Sequence, residues 1–592
     1  MLAFVLDETL RDELNASGQN YWDVYLEEIA DLLGVRADVL SPHDLANGKS
    51  LTEVRALIVG WHTGRRLDAP VLDAIRNWVR DGGILIGFGT HGLDDVFGVR
   101  RGQPVAQTPD DYAISGYFDY RNHPLTRELH WTIFLEQKLI ILSDLDAIEP
   151  TSAEELARLF DPEARDLNRP AVTWNRFGRG AAACFAFDAA KTVWLLHQGR
   201  PVQNDRVTDG VWPRACDLQL LGDHSRKVRY ADQIVFLIQN LIARAGVPFI
   251  HQIPPKDGRV ADAMLSYGGD EYQGPTELSL DASDWMREKG LGYHINMLPV
   301  HPITAEQMRH IREDNRHEVS IYYGLCEHDG YRMFPQRYLE QSEQFQQRFG
   351  FGPITTVNKW LGWTGWTEPA KWMLAAGGKS DNSFNGYNLA WTHPLANTSN
   401  FSFGFGTSYP FHFYDDHRHG NRRIDFLEQP IACYEVGHRG ATLDNETDAS
   451  HEVHLAVEMA IRWHLVMNMF YHPAYVARYP RCRQAIEEIL RYIEHRNANV
   501  HHVGNDEVWR WWDARSRSAI RLVDAKPDSV EFDCDGQYHG GMVFKMLLTR
   551  PLETVKIDGN YPAEYETRHE FGGHWLMAVL PPGRHRLRIS FA

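Results

Sequence analysis

The sequence predicts an α/β protein of three regions: a parallel α/β sheet over residues 1–245, a (β/α) barrel over residues 246–525, and a small β-sandwich over residues 526–592. A chain of 592 residues exceeds what one core usually supports, at about 100–200 residues per domain. Short apolar runs alternate with amphipathic segments in the first two regions, which is typical of parallel sheets. Apolar and polar residues alternate singly in the last region, which indicates antiparallel strands.

The amino-acid composition limits the kinds of partner that we expect for this protein. Hydrophobic residues make up 43% of the chain and charged residues 24%, which is ordinary for a folded protein. The formal net charge of -18 repels phosphate backbones and anionic lipid, so we expect neither nucleic acid nor a membrane as partner. The six cysteines form no Cys-x-x-Cys pair, which argues against a zinc ribbon or a disulfide framework. The chain shows no signal peptide and no apolar run of about 20 residues, so we predict a cytoplasmic protein.

The first region begins with clear strand and helix signals. Apolar runs predict strands over Leu2–Leu6, Ala56–Val59 and Ile84–Phe88. Amphipathic spacing predicts helices near residues 21–33 and 69–80. This alternation is typical of a parallel sheet with helices on its faces.

Two segments of this region carry a resemblance. The sequence over Ala56–Gly60 and Trp78–Gly89 resembles the class I glutamine amidotransferase-like fold. The similarity is to the non-catalytic version of this fold that is appended to some glycosidases. In active amidotransferases the elbow after the second segment carries a cysteine nucleophile, whereas this chain reads Gly-Thr-His-Gly over residues 89–92. The resemblance therefore implies a scaffolding domain without glutaminase activity. It also implies self-association, and we predict a homo-oligomer.

The second region alternates strand and helix signals after a proline-rich entry at Pro248–Pro255. This alternation predicts a barrel, in which side chains at the C-terminal ends of the strands form the site. The predicted helices cover Ala305–Asp314, Pro369–Ala376 and Arg483–His495. The predicted strands cover Ala263–Tyr267, Tyr293–Leu298, Val319–Tyr323, Thr355–Trp360, Pro430–Tyr434 and Val466–Tyr471.

Three motifs of the second region occur in the order of a known family. The family's Thr-Phe-Asp-Asp-Gly motif corresponds in position to Met264–Tyr272. Its Gly-His-Glu-Ile-Gly-x-His stretch is similar to His317–Tyr322. Its Leu-His motif is similar to Met467–Pro473. The region resembles the polysaccharide deacetylases of the glycoside hydrolase/deacetylase superfamily. The resemblance implies a hydrolase acting on a sugar or oligosaccharide, and in the first place a metal-dependent deacetylase.

The resemblance also implies roles for individual residues. In the family, one aspartate of the first motif is the general base and its neighbour binds a divalent metal. Gly268 and Gly269 occupy those two positions here, and Asp270 and Glu271 follow them. His472 matches the late histidine that protonates the leaving group. We therefore predict Asp270, Glu271 and His472 as catalytic residues.

The second motif departs from the family at its metal histidines. Tyr322 stands at the first of them and Cys326 at the second, so the usual triad cannot form. His328 is the nearest replacement, and we predict Asp270 and His328 as ligands of zinc or a similar divalent ion. Such an ion would polarise an acetyl carbonyl and lower the pKa of a bound water. We predict that Tyr322 contacts the substrate.

Further candidates come from aromatic and histidine clusters. Aromatic residues make up 12% of the chain, and Trp363 and Trp366 lie among glycines after a predicted strand end. Their flat rings suit the apolar face of a sugar, so we predict them as sugar platforms. The cluster His412–His419 offers three histidines and two carboxylates, a second place where a metal could bind.

Two other functions remain open. The barrel could be a glycosidase with paired carboxylates, in which Asp270 or Glu271 acts with Asp415 or Asp416. Alternatively the chain is a non-catalytic sugar-binding or scaffolding protein. The absent nucleophile near Thr90 and the departures from the barrel motifs favour this second alternative. A resemblance in fold does not by itself decide between these functions.

Overall fold

The protein was analysed as a computed structural model. It describes residues 1–46, 49–105, 110–129, 137–202, 213–221, 227–271, 274–324, 333–385, 400–437, 450–559 and 563–592. Among these residues no helix is both long enough and apolar enough to cross a bilayer.

The first region is built on a nine-stranded mixed sheet with helices around it. Its strands are β1 Leu2–Val5, β2 Ala37–Leu40, β3 Ala56–Val59, β4 Ile84–Phe88, β5 Val99–Arg101, β6 Gly116–Tyr120, β7 Leu139–Ile141, β8 Ile148–Pro150, β9 Glu154–Phe160, β10 Asp166–Phe177 and β11 Gly180–Phe185. Its helices are α1 Glu8–Ala16, α2 Leu26–Leu33, α3 Pro42–Leu45, α4 Trp61–Gly64, α5 Ala69–Arg80, α6 Asp94–Phe97, α7 Ala189–Gln198 and α8 Tyr230–Ala243.

The strand order of this sheet is β2-β1-β3-β4-β11-β10-β9-β6-β7, and β5 pairs separately with β8. The first five strands of that order are parallel, and the last four continue it antiparallel. The strands and helices predicted for residues 1–88 are confirmed. The predicted parallel sheet did not include the four antiparallel strands that extend it.

Helix α5 shows how the local sequence sets an element of this sheet. The Asp68 side chain accepts a hydrogen bond from the Val71 backbone N–H and caps the helix. Val71, Ile75 and Val79 recur at four-residue spacing and are buried. After the helix, Gly82 adopts φ +124°, a conformation that glycine tolerates without strain, and the chain turns into β4.

The second region contains the barrel. Its strands are β13 Ala263–Glu271, β14 His294–Met297, β15 Glu318–Tyr323, β16 Thr355–Asn358, β17 Ser380–Asp381, β18 Asn400–Phe401, β19 Phe411–Tyr414, β20 Arg423–Glu428, β21 Ile431–Tyr434, β22 Val466–Phe470 and β23 Val500–Val503, and β12 Phe249–Ile250 precedes them. Its helices are α9 Thr276–Glu288, α10 Ala305–Arg309 with a π-turn over His310–Asp314, α11 Pro335–Phe349, α12 Glu368–Ala375, α13 Ser450–Trp463, α14 Pro473–Arg478, α15 Pro480–His495 and α16 Asn505–Arg517.

Parallel pairing curls this sheet into a barrel-like shape. Strands β13 to β17 pair in chain order, and β22 lies on the other side of β13. Strand β20 pairs with β17, and β21, which follows it after two residues, pairs with β22. A parallel bridge between Asn385, which follows β17, and Ile431 of β21 also links these two parts of the sheet. The C-terminal ends of the strands therefore surround one rim.

The six strands predicted for the barrel are all present, with ends that differ by up to four residues. The largest difference is at β13, which continues to Glu271. The curled, mainly parallel sheet of this region is therefore consistent with the predicted barrel.

The last region is a β-sandwich of two four-stranded antiparallel sheets. Its strands are β24 Ala519–Ala525, β25 Ser529–Gly536, β26 Met542–Leu547, β27 Leu552–Ile557, β28 Tyr565–Glu570, β29 Gly573–Leu580 and β30 Gly583–Phe591. The sheets have the orders β24-β25-β30-β27 and β12-β26-β29-β28. The sandwich thus starts at Ala519 rather than at residue 526, and it borrows β12 from the chain that precedes the barrel.

Candidate active site at the barrel rim

Strand pairing brings Asp270 and His472 together at the barrel rim. Gly268 of β13 is paired with Phe470 of β22, and Asp270 and His472 each lie two residues further along. The distance from Asp270 Oδ1 to His472 Nε2 is 3.1 Å, and each side chain is 8% exposed. Two residues that are 202 positions apart in sequence therefore form one buried contact at the C-terminal ends of neighbouring strands.

Steric contacts explain why the carboxylates come two residues later than the resemblance implies. A Cβ atom at Gly269 would lie 2.1 Å from the backbone oxygen of Tyr471, the residue before His472. A Cβ atom at Gly268 would lie 2.4 Å from Asn505 Oδ1. The backbone contact restricts position 269 to glycine, and a side chain at position 268 would require Asn505 to move. Asp270 is the next residue and carries the carboxylate.

Glu435 completes the arrangement and was not among the predicted residues. It follows β21, and its Oε1 lies 2.8 Å from His472 Nδ1 and 3.3 Å from the backbone nitrogen of His472. Its side chain is 2% exposed, and its Oε2 has no hydrogen-bond partner among the described residues. The three side chains form a chain in which the imidazole of His472 bridges the carboxylates of Asp270 and Glu435.

The backbone at Glu435 is strained. Its φ is +50°, in the left-handed region that residues other than glycine, asparagine and aspartate seldom adopt. Such a conformation costs of the order of 1–3 kcal/mol, and surrounding contacts must maintain it. Here the backbone N–H of Glu435 donates to the carbonyl of Phe470 on β22, which fixes the carboxylate beneath His472.

The electrostatics of the rim favour a charged imidazole. Burial alone would lower the pKa of His472. Tyr434 and the carboxylates of Asp270 and Glu435 outweigh this effect, so the pKa of the imidazole is well above its usual value. These contacts favour the imidazolium form of His472, in which each ring nitrogen can donate to a carboxylate.

Tyr322 lies on the other side of Asp270. Burial and the charge of Asp270 raise the pKa of the Tyr322 phenol, which is 1% exposed and forms a hydrogen bond with Asp270. Its oxygen accepts a hydrogen bond of 3.1 Å from the backbone nitrogen of Trp360. Trp360 and Leu361 adopt φ values of +55° and +57° and are partly exposed. A second strained segment therefore lies against the site.

Glu271 takes a different position from Asp270. Successive residues of a strand point to opposite faces, and Glu271 Oε1 accepts a hydrogen bond of 2.8 Å from the backbone nitrogen of Gly274. Burial raises the pKa of this carboxyl group. Glu271 acts on His472 and Asp270 through its charge, and Asp270 is the carboxylate in contact with the imidazole.

The predicted metal site lies partly outside the described residues. His328 belongs to the segment 325–332, which the structure does not describe. Among the described residues, four groups of three acidic or histidine side chains bring ligand atoms within 4.8 Å of one another, and none includes Asp270, Glu271 or His472. His472 also uses both ring nitrogens on carboxylates. A metal held by Asp270 and His328 stays a prediction.

The prediction that Trp363 and Trp366 are sugar platforms is wrong. Their exposed fractions are 0% and 2%, so neither ring offers a face to a ligand. Trp366 stacks on Trp194 of α7 with ring centroids 5.9 Å apart, and its indole nitrogen donates to the carbonyl of Gln198. Helix α7 belongs to the first region, so Trp366 is a core residue of the interface between two regions. Trp363 packs on Phe384 and Phe413 in the core of the second region.

The cluster His412–His419 belongs to the same interface. The backbone nitrogen of His412 donates to Glu28 Oε1 of α2 at 2.9 Å, and Arg423 contacts the His412 ring. Asp415 accepts from the Thr367 hydroxyl and pairs with a lysine of α12. The carboxylates of Asp415 and Asp416 are therefore engaged by side chains of the second region itself, whereas His412 makes the contact to the first region.

The elbow of the first region also lacks an exposed nucleophile. Thr90 is fully buried, and its hydroxyl lies 3.5 Å from the carbonyl oxygen of Val59. His91 is 44% exposed on its side chain and faces Asp146 at 3.5 Å. The absence of glutaminase activity and the amidotransferase-like character of this region stay predictions.

Comparisons with known proteins were made by family models, by sequence and by structure. No family model and no curated protein matches the chain. Among solved structures, a β-galactosidase from Bacillus circulans sp. alkalophilus is similar with 16% identity and a TM-score of 0.26, over 32% of this chain and 29% of that chain. A putative polysaccharide deacetylase from Mycobacterium smegmatis is similar with 10% identity and a TM-score of 0.31, over 47% of this chain and 99% of that chain.

A third solved structure, Puue allantoinase, is similar with 12% identity and a TM-score of 0.31, over 43% of this chain and 91% of that chain. The chain spans less than a third of the length of the first β-galactosidases it matches. Identities and TM-scores are too low to assign a function, which is therefore argued from the site itself.

Proposed function

We propose that the protein is a hydrolase of acetylated sugars that works by general acid–base catalysis at the barrel rim. The observation that carries this proposal is the buried contact of His472 with Asp270 and Glu435. Perturbed ionisable groups that converge at a strand-end rim are typical of catalytic sites. The strained backbone at Glu435 also fits a site in which stability is given up for function.

Each residue then has a role in hydrolysis. Asp270 accepts a proton from a water molecule as the water oxygen attacks the acetyl carbonyl carbon. The imidazolium of His472 donates its proton to the departing sugar nitrogen or oxygen as the bond to the acetyl carbon breaks. The proton on Asp270 then returns to His472 across their 3.1 Å contact, and the product leaves as acetic acid, which releases its own proton to water. Glu435 is the positioning residue that holds the imidazole oriented and charged.

The spacing of the carboxylates favours deacetylation over glycoside cleavage. A glycosidase keeps the space between its two carboxyl groups free for the sugar ring, with about 5–5.5 Å between them in retaining enzymes. At this rim the imidazole of His472 fills the space between Asp270 and Glu435. Asp415 and Asp416, the other proposed partners, are already engaged by Thr367 and Arg418.

Trp360 is the aromatic side chain that best suits a sugar at this rim. It is partly exposed, it follows β16, and its backbone N–H holds the hydroxyl of Tyr322 beside Asp270. An indole face buries the C–H surface of a pyranose well. We therefore assign the platform role to Trp360 in place of the two buried tryptophans.

A panel of substrates tests the proposal. Acetylated and unmodified oligosaccharides would be incubated with the full chain, and acetate and reducing ends would be measured separately. We expect acetate release, with a loss of about 100-fold to 10,000-fold in Asp270→Asn and in His472→Gln. Asp415→Asn is the matched control, and its rate should stay within a factor of two or so.

Other outcomes would redirect the assignment. New reducing ends without acetate, lost in both Asp270→Asn and Asp415→Asn, would make the barrel a glycosidase with that pair. Sugar binding without release of either product would make it a non-catalytic binder. Thermal unfolding of each variant shows whether a lost rate reflects a lost fold.

A further inference from the structure

A group of three side chains in the first region has no role in the proposed hydrolysis. Asp23 lies in a 3₁₀ turn after α1, His62 in α4 after β3, and Asp188 caps α7 after β11. Each offers a ligand atom within 4.8 Å of the other two. They lie beyond the C-terminal ends of the parallel strands. The strand order reverses nearby, because β2 and β3 pair with opposite sides of β1. Open α/β sheets bind ligands at such a switch point.

Atoms in this group are left without partners. Asp188 is 1% exposed, and while its Oδ1 accepts from the backbone nitrogen of Lys191, its Oδ2 has no hydrogen-bond partner within the described ranges. The same holds for His62 Nδ1, which lies 3.6 Å from Asp23 Oδ1. A buried polar atom without a partner is costly, so these atoms point to a missing ligand.

The chain is shaped around the Asp23 carboxylate. The backbone nitrogens of His62 and Thr63 donate to its two oxygens at 3.2 and 2.8 Å, which fixes the orientation of the carboxylate. A Cβ atom at Gly60 would lie 2.3 Å from Asp23 Cγ, so only glycine allows this approach. Outer contacts of this kind orient metal ligands.

The described residues form three other groups of candidate ligand atoms, and each of those is contacted by a lysine or an arginine. Arg423 fills the group around His412, Lys371 and Arg418 fill the group at Asp415 and Asp416, and Arg510 contacts Glu318 in the group around His294. Asp23 and Asp188 form no ion pair with lysine or arginine among the described residues, and Lys191 pairs with Asp111.

A cation between Asp23 and Asp188 would bind the Oδ2 atom of Asp188 that has no hydrogen-bond partner among the described residues.

We propose that Asp23, His62 and Asp188 bind a divalent cation of the zinc class. Imidazole with carboxylates is a ligand set that suits zinc and similar first-row ions. Two ligand atoms about 2.0–2.2 Å from a tetrahedral ion lie about 3.4 Å from each other, close to the 3.6 Å between His62 Nδ1 and Asp23 Oδ1. The His62 side chain is 22% exposed, which leaves the fourth position open to water.

Metal titration of the full chain tests this site. Protein stripped with a chelator would be titrated with Zn²⁺ by calorimetry and with Co²⁺ by visible absorption, which reports tetrahedral coordination. We expect one equivalent to bind, with affinity reduced at least about tenfold in His62→Ala and in Asp188→Asn. His419→Ala, in the group at Asp415, is the matched control and should bind as the wild type does.

The site is separable from a metal at the barrel rim. Asp270→Asn should keep the full stoichiometry if the ion lies in the first region. Absence of binding, unchanged affinity in His62→Ala, or loss in His419→Ala or Asp270→Asn would each overturn the proposal. If Asp188→Asn fails to fold, as judged by circular dichroism, His62→Ala decides, because its side chain lies partly at the surface.

Discussion

Replacement of Glu435 by glutamine tests whether the buried carboxylate keeps His472 charged. The variant retains the size and hydrogen-bonding oxygen of the side chain and removes one of the two charges that flank the imidazole. Hydrogen bonds to charged groups contribute about 1.5–3 kcal/mol and neutral ones about 0.5–1.5 kcal/mol. The substitution should therefore cost about 1–2 kcal/mol of imidazolium stabilisation.

This cost depends on pH in a defined direction. The pKa of His472 is raised by folding, so its contribution to stability is fully present below the unfolded value of about 6.5 and is lost as pH rises through the folded value. Glu435→Gln should accordingly be less stable than the wild type at pH 6, and the difference should shrink in alkaline buffer. Denaturant unfolding at several pH values measures it.

Catalysis gives the second readout of the same substitution. A loss of 1–2 kcal/mol corresponds to about 5–30-fold in rate. Because His472 must be protonated to act as the acid, the alkaline limb of the pH–rate profile should move to lower pH in Glu435→Gln. Asp425→Asn, exposed on β20, is the control. An unmoved limb together with a pH-independent stability difference would refute the reasoning.

Three further predictions concern residues around the barrel. Gly269→Ala should destabilise the protein and lower activity because its Cβ would lie 2.1 Å from a backbone oxygen, whereas Gly352→Ala, with no atom within 4 Å, should do neither in thermal unfolding and rate assays. Trp363→Ala should cost about 3–5 kcal/mol in denaturant unfolding without a selective loss of sugar affinity, because the ring is fully buried. Burial raises the pKa of Asp381 to about 7, so the native state holds this proton more tightly and stability falls as pH rises from about 4 to 7. Asp381→Asn should make that fall smaller when unfolding midpoints at pH 5 and 8 are compared, while buried Glu428 keeps its own contribution.

Local patterns in the sequence were enough to predict the barrel and its strands. Apolar runs bounded by turns mark β13 to β16 and β21 to β22, because each strand must be buried on both sides of a parallel sheet. The rim residues Asp270 and His472 were predicted from the resemblance of their motifs to those of the polysaccharide deacetylases. Strand pairing then determines their contact, and pairing between residues so far apart in sequence leaves no local signal.

Residues beyond the local pattern were harder to predict. Glu435 directly follows the predicted strand that ends at Tyr434, and this position was the signal that could have found it. Its left-handed backbone is set by β22 and has no signature in the sequence. Trp363 and Trp366 looked exposed because of the glycines around them. Helix α7 of another region covers the Trp366 ring, and Phe384 and Phe413 cover the Trp363 ring.

The protonation state of His472 is the most direct test of the account. Nuclear magnetic resonance of protein with ¹⁵N-labelled histidine, with the signal assigned by its absence in His472→Gln, reports the charge of this one ring without a substrate. The account predicts an imidazolium at pH 7 that loses its proton only in alkaline solution, because two carboxylates contact its ring nitrogens. A neutral His472 ring at pH 7 would contradict the charged carboxylate–imidazole–carboxylate chain on which the proposed acid–base mechanism depends.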